Sequence, residues 1–469
     1  MDDETISQQL TARDALLAAA ADRARGYLDT LATRPVKPGR EAIAALSRFD
    51  PTVPEAGRSA EEILALLDEV GSPATIATAG PRYFGFVTGG ALPIAVAASW
   101  LFAAWDQNIA LGVMSPTGAH LDALALWWVV ELLGLPAGTG GGFVTGASMA
   151  NSTCLAAARD FVLQASGWDA AGMGLVGAPP IQVLAGVEAH TTVHKALGLV
   201  GLGRDRVLRL PVDEQGRILV RDLPRLATPA ILCLQAGNVN SGASDPFEEL
   251  IEWAHAAGAW VHVDGAFGLW AAASPELAAQ VTGVQHADSW ATDAHKWLNT
   301  TYDCGIALVA RPEALAAAMQ ANAAYLPAGE QRDPMRYTPQ TSQRARGAEV
   351  WAVLSLLGRE GLAELVAGSC RHARRFAAAL SAAGYEVLNE VQLNQVVVDF
   401  GGEEATAAVI AGIQVDGTCW CGPTHWRGRA AMRISASCWA TSTVDVEASI
   451  AAMLEVARLA RTATANRRS

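Results

Sequence analysis

Apolar positions along the chain fall into two distinct periods. Residues 11 to 32 open on "TARD", a helix-capping pattern, and then set Leu17, Ala20, Ala24, Leu28 and Leu31 on one helical face. Such a face needs a cover. The piece "TRPVKPGR" breaks the period and reads as a connector. From about residue 120 helical and β periods alternate: "HLDALALWWVVELLG" and "PFEELIEWAHAAG" predict helices, and "IQVLAG", "AILCLQAG" and "WVHVDGAF" predict strands. Strands separated by helical crossovers predict a largely parallel sheet covered on both faces, with ligands expected beyond the strand carboxyl ends. Past about residue 345 the texture changes to two helices, "GAEVWAVLSLLG" and "LAELVAGSCRHARRFAAALSAAG". The β runs "NQVVVDF" and "AAMRISAS" and a closing helix from "TSTVDVEAS" complete a smaller α+β unit.

The apolar run "FGFVTGGALPIAVAASWLFAAW", residues 84 to 105, is long enough to span a bilayer. Gly89, Gly90 and Pro93 interrupt it and only Arg82 flanks it nearby as a cation, so it reads as a buried loop and helix. The N-terminal "MDDETISQQL" is acidic and polar, unlike a signal peptide. A cytoplasmic protein with no membrane partner is expected.

Composition adds limits. At 469 residues, 51% apolar and 17% charged, the chain can bury two or three packed units and is too apolar for disorder. Its net charge of −13 lacks the clustered cations that a nucleic-acid partner requires. Seven scattered cysteines do not form a disulfide framework, and the lone C-x-C at Cys419 and Cys421 has no second pair at zinc spacing, so no metal is expected. Lysine occurs only at Lys37, Lys195 and Lys296, so arginine carries the ordinary surface charge.

That scarcity directs attention to "TDAHKWLN", where Lys296 follows the short apolar segment "ADSWAT". A lysine in apolar surroundings loses stabilisation of its charge and becomes a nucleophile for a carbonyl; the plain alternative is a surface lysine with its stem on Trp297. Asp264 ends the strand Trp260 to Val263 and is suited to hold a cofactor ring nitrogen protonated, or simply to cap a turn. "GGFVTGASMANST" enters a helix and offers N–H groups to an anion. His190 follows the strand "IQVLAG" as a ring-sized flat residue, or as a hydrogen-bonded structural histidine. Lys195, in "HTTVHKALG", fits a solvated helix face. Anion cradle, flat ring, aspartate and lysine, in that order at the ends of one sheet, are the parts that pyridoxal phosphate requires.

The stretches "PRYFGF", "HVDGAFG" and "ADSWATDAHKWLNTTYDCG" resemble the group II pyridoxal-phosphate-dependent decarboxylases, which include the aromatic amino acid and glutamate decarboxylases. The resemblance covers roughly residues 80 to 440. It implies a fold type I, aspartate aminotransferase-like α/β architecture: a large domain with a mostly parallel seven-stranded sheet over 81–345 and a small C-terminal α+β domain over 346–469. It also implies a homodimer with the active site at the interface, across which an N-terminal helical segment, 1–80, packs. Carried over by position, Lys296 would form an imine with the cofactor aldehyde, Asp264 would pair with the ring nitrogen, and His190 would stack on the ring. Ala147, Ser148 and Met149 would hold the phosphate, with His295 against that end, and Ala266 would lie under the ring. Arg433, in "MRISAS", matches an arginine near the active site.

The chain departs from the pattern at several points. Asp293 stands where the aromatic decarboxylases usually carry an asparagine near the phosphate. The proton donor to Cα is usually a tyrosine on a mobile loop, and residues 327 to 347 contain one, Tyr337, in a loop shorter than in the animal enzymes. Val87 and Ala110 replace aromatic residues of the substrate pocket while Phe86 stays aromatic; Asn108, Trp105, Trp420, His425 and Trp426 are candidate walls. The expected function is decarboxylation of an L-amino acid, aromatic in preference, to the amine and CO2, a lyase step of amino acid metabolism. A decarboxylating aldehyde synthase and a carbon–carbon lyase are alternatives on the same fold, and a non-catalytic ligand-binding protein is a rival outside it. A dinucleotide-dependent oxidoreductase is disfavoured because "GGFVTGAS" lacks the spacing G-x-G-x-x-G.

Overall fold

The structure is a computed structural model that describes residues 3–319 and 332–468. Its large sheet contains β1 (Gly140–Val144), β2 (Gln182–Gly186), β3 (Leu208–Leu210), β4 (Ala230–Gln235), β5 (Trp260–Asp264), β6 (Ser289–Asp293) and β7 (Gly305–Val309). The strand order is β1-β7-β6-β5-β4-β2-β3, with β2 to β6 mutually parallel and β7 antiparallel to both its neighbours. All five or six residues of β1, β4, β5, β6 and β7 are buried, as continuous apolar strands covered on both faces must be.

The helix Ala147–Ala165 lies against β5, β6 and β7. Its buried face is built from Ala150, Cys154, Ala157 and Ala158, small side chains that let helix and sheet approach closely. The approach is tightest at its entry, where a Cβ on Gly305 would lie 2.4 Å from Gly146 Cα, so only glycine fits.

The smaller sheet, β8 (Glu386–Val387), β9 (Gln395–Asp399), β10 (Gly422–Trp426) and β11 (Arg429–Ser435), is antiparallel in the order β10-β11-β9-β8. The helices Glu403–Asp416 and Thr443–Arg468 pack beside it. The two helices read separately after residue 345 form one run, Arg346–Ala382, interrupted at Gly358, whose φ of 61° lies outside the helical region. Arg346, read as loop, opens its first turn.

Two expectations change. "TARD" caps nothing: the first helix starts at Asp3, and the Thr11 hydroxyl donates to the Ser7 carbonyl within it at 2.9 Å. The helix Pro93–Trp105 is not buried, for only Ala95 and Ala98 lie inside, while Trp100, Leu101 and Trp105 are 46%, 57% and 47% exposed. Leu17 and Leu28 of the first helix are exposed too. Periodicity reports that a face requires burial, not what covers it. Among the described residues no helix is long and apolar enough to cross a membrane.

Candidate active site

The site forms where strand carboxyl ends meet. β5 ends on Asp264 and β6 on Asp293, β2 leads to His190, and β1 leads through Thr145 and Gly146 into the helix that begins at Ala147. Side chains far apart in the sequence therefore share one edge of the sheet.

Asp264 is buried and held by neutral donors. Its Oδ2 accepts from Asn151 Nδ2 at 3.1 Å and Thr192 Oγ1 at 3.4 Å, and its Oδ1 from the N–H of Ala266 at 3.2 Å. Behind Asn151 stands His262, wholly buried between Asn151 Oδ1 (2.9 Å) and Ser289 Oγ (2.9 Å), its pKa pushed down to about 4 by burial.

Lys296 lies on the turn after β6, three residues from Asp293, with Nζ 2.9 Å from Asp293 Oδ2. The backbone here admits no bulk: a Cβ on Gly89 would lie 2.0 Å from the Lys296 carbonyl oxygen. Asp293 Oδ1 accepts from the N–H of Ala147 at 2.6 Å. The carboxylate thus caps the helix that was expected to receive an anion, the favourable end for negative charge. Of the three N–H groups assigned to the phosphate, Ala147 is engaged with Asp293 and Met149 with the Gly146 carbonyl at 2.9 Å. Among the described residues the N–H and hydroxyl of Ser148 make no hydrogen bond.

His295 accepts the Cys304 N–H on Nδ1 at 3.1 Å, which leaves Nε2 to face Asp293 Oδ1 at 3.7 Å. Burial lowers its pKa. The ring of Tyr302 lies 4.4 Å from that imidazole, and burial raises the pKa of its hydroxyl.

His190 caps the helix Thr191–Leu199, with Nδ1 2.7 Å from Thr192 Oγ1 and 3.3 Å from the Thr192 N–H. Burial is the largest influence and lowers its pKa; Asp264 and Asp293 oppose that, while Lys296 and Arg433 reinforce it. Those four charges and His190 therefore share one electrostatic neighbourhood. Arg433 lies in β11, its own pKa lowered to about 10 by burial, with a guanidinium nitrogen 3.4 Å from Asn240 Oδ1.

The remaining expected residues are placed elsewhere or at the rim. Tyr337 does not join the cluster within this chain: its ring lies under the Arg332 guanidinium at 4.4 Å, and its carbonyl lies beside Gly142 in the middle of β1. Residues 327–331 of that loop lie outside the described residues. Asn108 is committed locally, accepting from the N–H groups of Ala110 and Gln343 and donating to Ser342. Phe86 is exposed and stacks on Trp420 at 5.8 Å, and Trp420 stacks on Tyr83 at 5.2 Å. This aromatic wall is tied to the small sheet, because Phe84 donates its N–H to the Trp420 carbonyl and Ser435 donates to that of Phe84. Trp426, a candidate wall, is core instead, and Trp297 is wholly buried rather than an exposed platform for the Lys296 stem. Lys195 is exposed, as expected. The sequence reading missed Asn151, Thr192, His262 and Tyr302; only the closeness of Thr192 to His190 and of His262 to Asp264 along the chain hinted at two of them.

This donor set suits pyridoxal phosphate. It offers an amine for the aldehyde, an ionisable carboxylate with spare acceptor capacity for the ring nitrogen, an imidazole at the ring, and an unspent helix N–H for the phosphate. The comparisons agree. A family model described as the pyridoxal-dependent decarboxylase conserved domain matches residues 44–400. An aromatic-L-amino-acid decarboxylase of Bacillus atrophaeus is 25% identical over 80% of this chain and 78% of its own. Tryptophan decarboxylase 1 of rice, Oryza sativa subsp. japonica, is 29% identical over 64% of this chain and 62% of its own length. Phenylacetaldehyde synthase of Arabidopsis thaliana is 30% identical over 56% and 57% respectively. The matched part of the chain thus spans about three fifths of those two plant relatives. The Oryza sativa structure described as TDC with PLP and tryptamine superposes with a TM-score of 0.87 at 22% identity, covering 96% of this chain and 98% of that one.

Proposed function

Because the chain belongs to the pyridoxal-dependent decarboxylase family, with the fold type I architecture and pyridoxal phosphate as cofactor, we propose that it decarboxylates an L-amino acid to the amine and CO2. We take an aromatic substrate and a cytoplasmic homodimer with the site at its interface as part of this reading. The observation that carries it is the gathering of Lys296, Asp264 and His190 at the carboxyl edge of the large sheet, with Arg433 of the small sheet among the charges that act on His190.

When bound, the cofactor supplies a ring that accepts the electron pair left as CO2 departs. Lys296 would be the amine that holds the cofactor carbonyl carbon, and beside Asp293 its Nζ could carry a proton. Asp264 would keep the ring nitrogen protonated by accepting its hydrogen bond. His190 would cover the ring, while Ser148 and the start of its helix would hold the phosphate. Arg433, a half-buried cation, orients the substrate carboxylate. The stacked rings of Tyr83, Phe86 and Trp420 would favour an aromatic side chain. The exposed faces of the helices Asp3–Thr30 and Pro93–Trp105 support a second copy as their cover.

One observation favours a second reading, a decarboxylating aldehyde synthase. Tyr337 lies away from Lys296, so within the described residues of one chain no loop tyrosine reaches Cα to return a proton. Dioxygen would then take the electron pair as the oxidant and water would supply the aldehyde oxygen, so that amino acid, O2 and H2O would give aldehyde, ammonia, hydrogen peroxide and CO2. Screening amino acids for CO2 release, with amine, aldehyde and peroxide measured together, tests both. Amine equal to CO2 supports the decarboxylase, equal aldehyde and peroxide support the synthase, and no CO2 from any aromatic amino acid overturns the substrate assignment.

A further inference from the structure

We propose that Asn151 and His262 are positioning residues that hold Asp264 for the cofactor's ring nitrogen, as inner links of a one-way chain of hydrogen bonds that begins at Trp260. The inference rests on the reading that Asp264 meets that nitrogen, and deepens it.

Chemistry at the two ends sets the direction of the chain. The Trp260 indole N–H can only donate, and it lies 2.9 Å from Ser289 Oγ. An ionised Asp264 can only accept, and it lies 3.1 Å from Asn151 Nδ2. Between them the protons have one consistent arrangement. Ser289 accepts from Trp260 and donates to His262 Nδ1 at 2.9 Å; His262 donates from Nε2 to Asn151 Oδ1 at 2.9 Å; and the Asn151 amide donates to Asp264. His262 is thereby held as the neutral tautomer with its proton on Nε2.

Every link is buried, and every link is neutral. Asn151 occupies a helix position, one turn past Ala147, where an apolar residue would pack at lower cost, and His262 interrupts an otherwise apolar strand. Such a chain fixes a geometry rather than adding to the core. Asp264 receives donors from Asn151 and Ala266, with the Thr192 hydroxyl 3.4 Å away, none of them cationic, which leaves at least one of its roughly four lone-pair sites open and no cation bonded to it. A protonated ring nitrogen answers both.

The test reads the ring nitrogen directly, by 15N NMR of the holoenzyme loaded with 15N-labelled pyridoxal phosphate, without substrate. In Asn151→Leu the 15N signal is expected to move from the protonated toward the unprotonated position, with kcat falling roughly ten- to a hundredfold, as when an orienting partner is removed, and KM changing much less. His262→Leu should shift it in the same sense, and His262→Gln, which restores a side-chain N–H toward Asn151, should recover most of the shift. If Asn151→Leu does not fold, the His262 pair decides. A wild-type 15N position in folded Asn151→Leu, or in His262→Leu, overturns the inference. Asp264→Asn separates the two readings: if it too leaves the nitrogen unchanged, the assignment of Asp264 fails first.

Discussion

Asp293 and Lys296 form an ion pair three residues apart, Oδ2 to Nζ at 2.9 Å, with the carboxylate 3% and the amine 22% exposed. The other carboxylate oxygen takes the N–H of Ala147 at the head of the helix that would hold the cofactor phosphate. The same side chain thus occupies positive charge at both ends of its reach. It competes with the phosphate for the helix and holds the Lys296 amine in an ion pair that bonding to an aldehyde carbon must break.

Asp293→Asn should therefore bind cofactor more tightly. Both effects act in one direction, and removing a like charge at this range is expected to lower Kd on the order of tenfold, about 1.4 kcal/mol. Titrating apoprotein with pyridoxal phosphate measures it, and inorganic phosphate as a competitor should gain affinity too. Weaker binding would mean that Asp293 holds the site together rather than opposing its ligand.

Lys296→Ala should abolish turnover by more than about a thousandfold, since the group that bonds the aldehyde carbon is gone. Visible absorbance bleached by borohydride should be present in the wild type and absent in the variant. Bleachable absorbance in Lys296→Ala would move the covalent attachment to another amine, of which the chain has only Lys37 and Lys195 as side chains.

Lys296 and Asp264 were legible because each sits at the end of a continuous apolar strand, where position along the sequence and position at the sheet edge coincide. Asn151 and His262 were not. Their contact joins residues 111 apart, and a buried asparagine in "MANST" or a histidine in "WVHVD" carries no periodic signal that distinguishes a relay from ordinary core satisfaction. Tyr337 shows what chain order leaves open. It follows the lysine in sequence, yet within one chain its ring lies under the Arg332 guanidinium at 4.4 Å, a placement that order along the chain does not report. The helix Pro93–Trp105 was read as buried from hydrophobicity, which measures the need for a cover and not its presence in the same chain.

Trp420→Ala should raise KM for an aromatic substrate with a smaller effect on kcat. The ring stacks on both Tyr83 and Phe86, so its loss removes one wall without touching Lys296 or Asp264. The expected loss in kcat/KM is roughly tenfold, about the value of one aromatic contact at a partly exposed site. Aliphatic amino acids, if turned over at all, should be unaffected. An equal loss for both classes would place Trp420 in the fold rather than in substrate selection.

The buried imidazole of His262 makes a prediction about acid. Burial lowers its pKa to about 4, against 6.5 for a free histidine. Above pH 6.5 it is neutral in folded and unfolded chains alike, so it contributes its full share of stability there. Between pH 6.5 and 4 the unfolded chain takes up a proton that the folded chain refuses, and stability falls across that window by about 3 kcal/mol from this group. Nearby Asp264 opposes the shift, and burial outweighs it. His262→Gln has no proton to gain, while His190, His295 and His372, also lowered, titrate in both proteins and cancel in the difference. The wild type should thus lose its thermal-midpoint advantage over His262→Gln as pH is brought from 7 to 4.5. A gap that stays constant over that range would show that His262 reaches solvent before the chain unfolds.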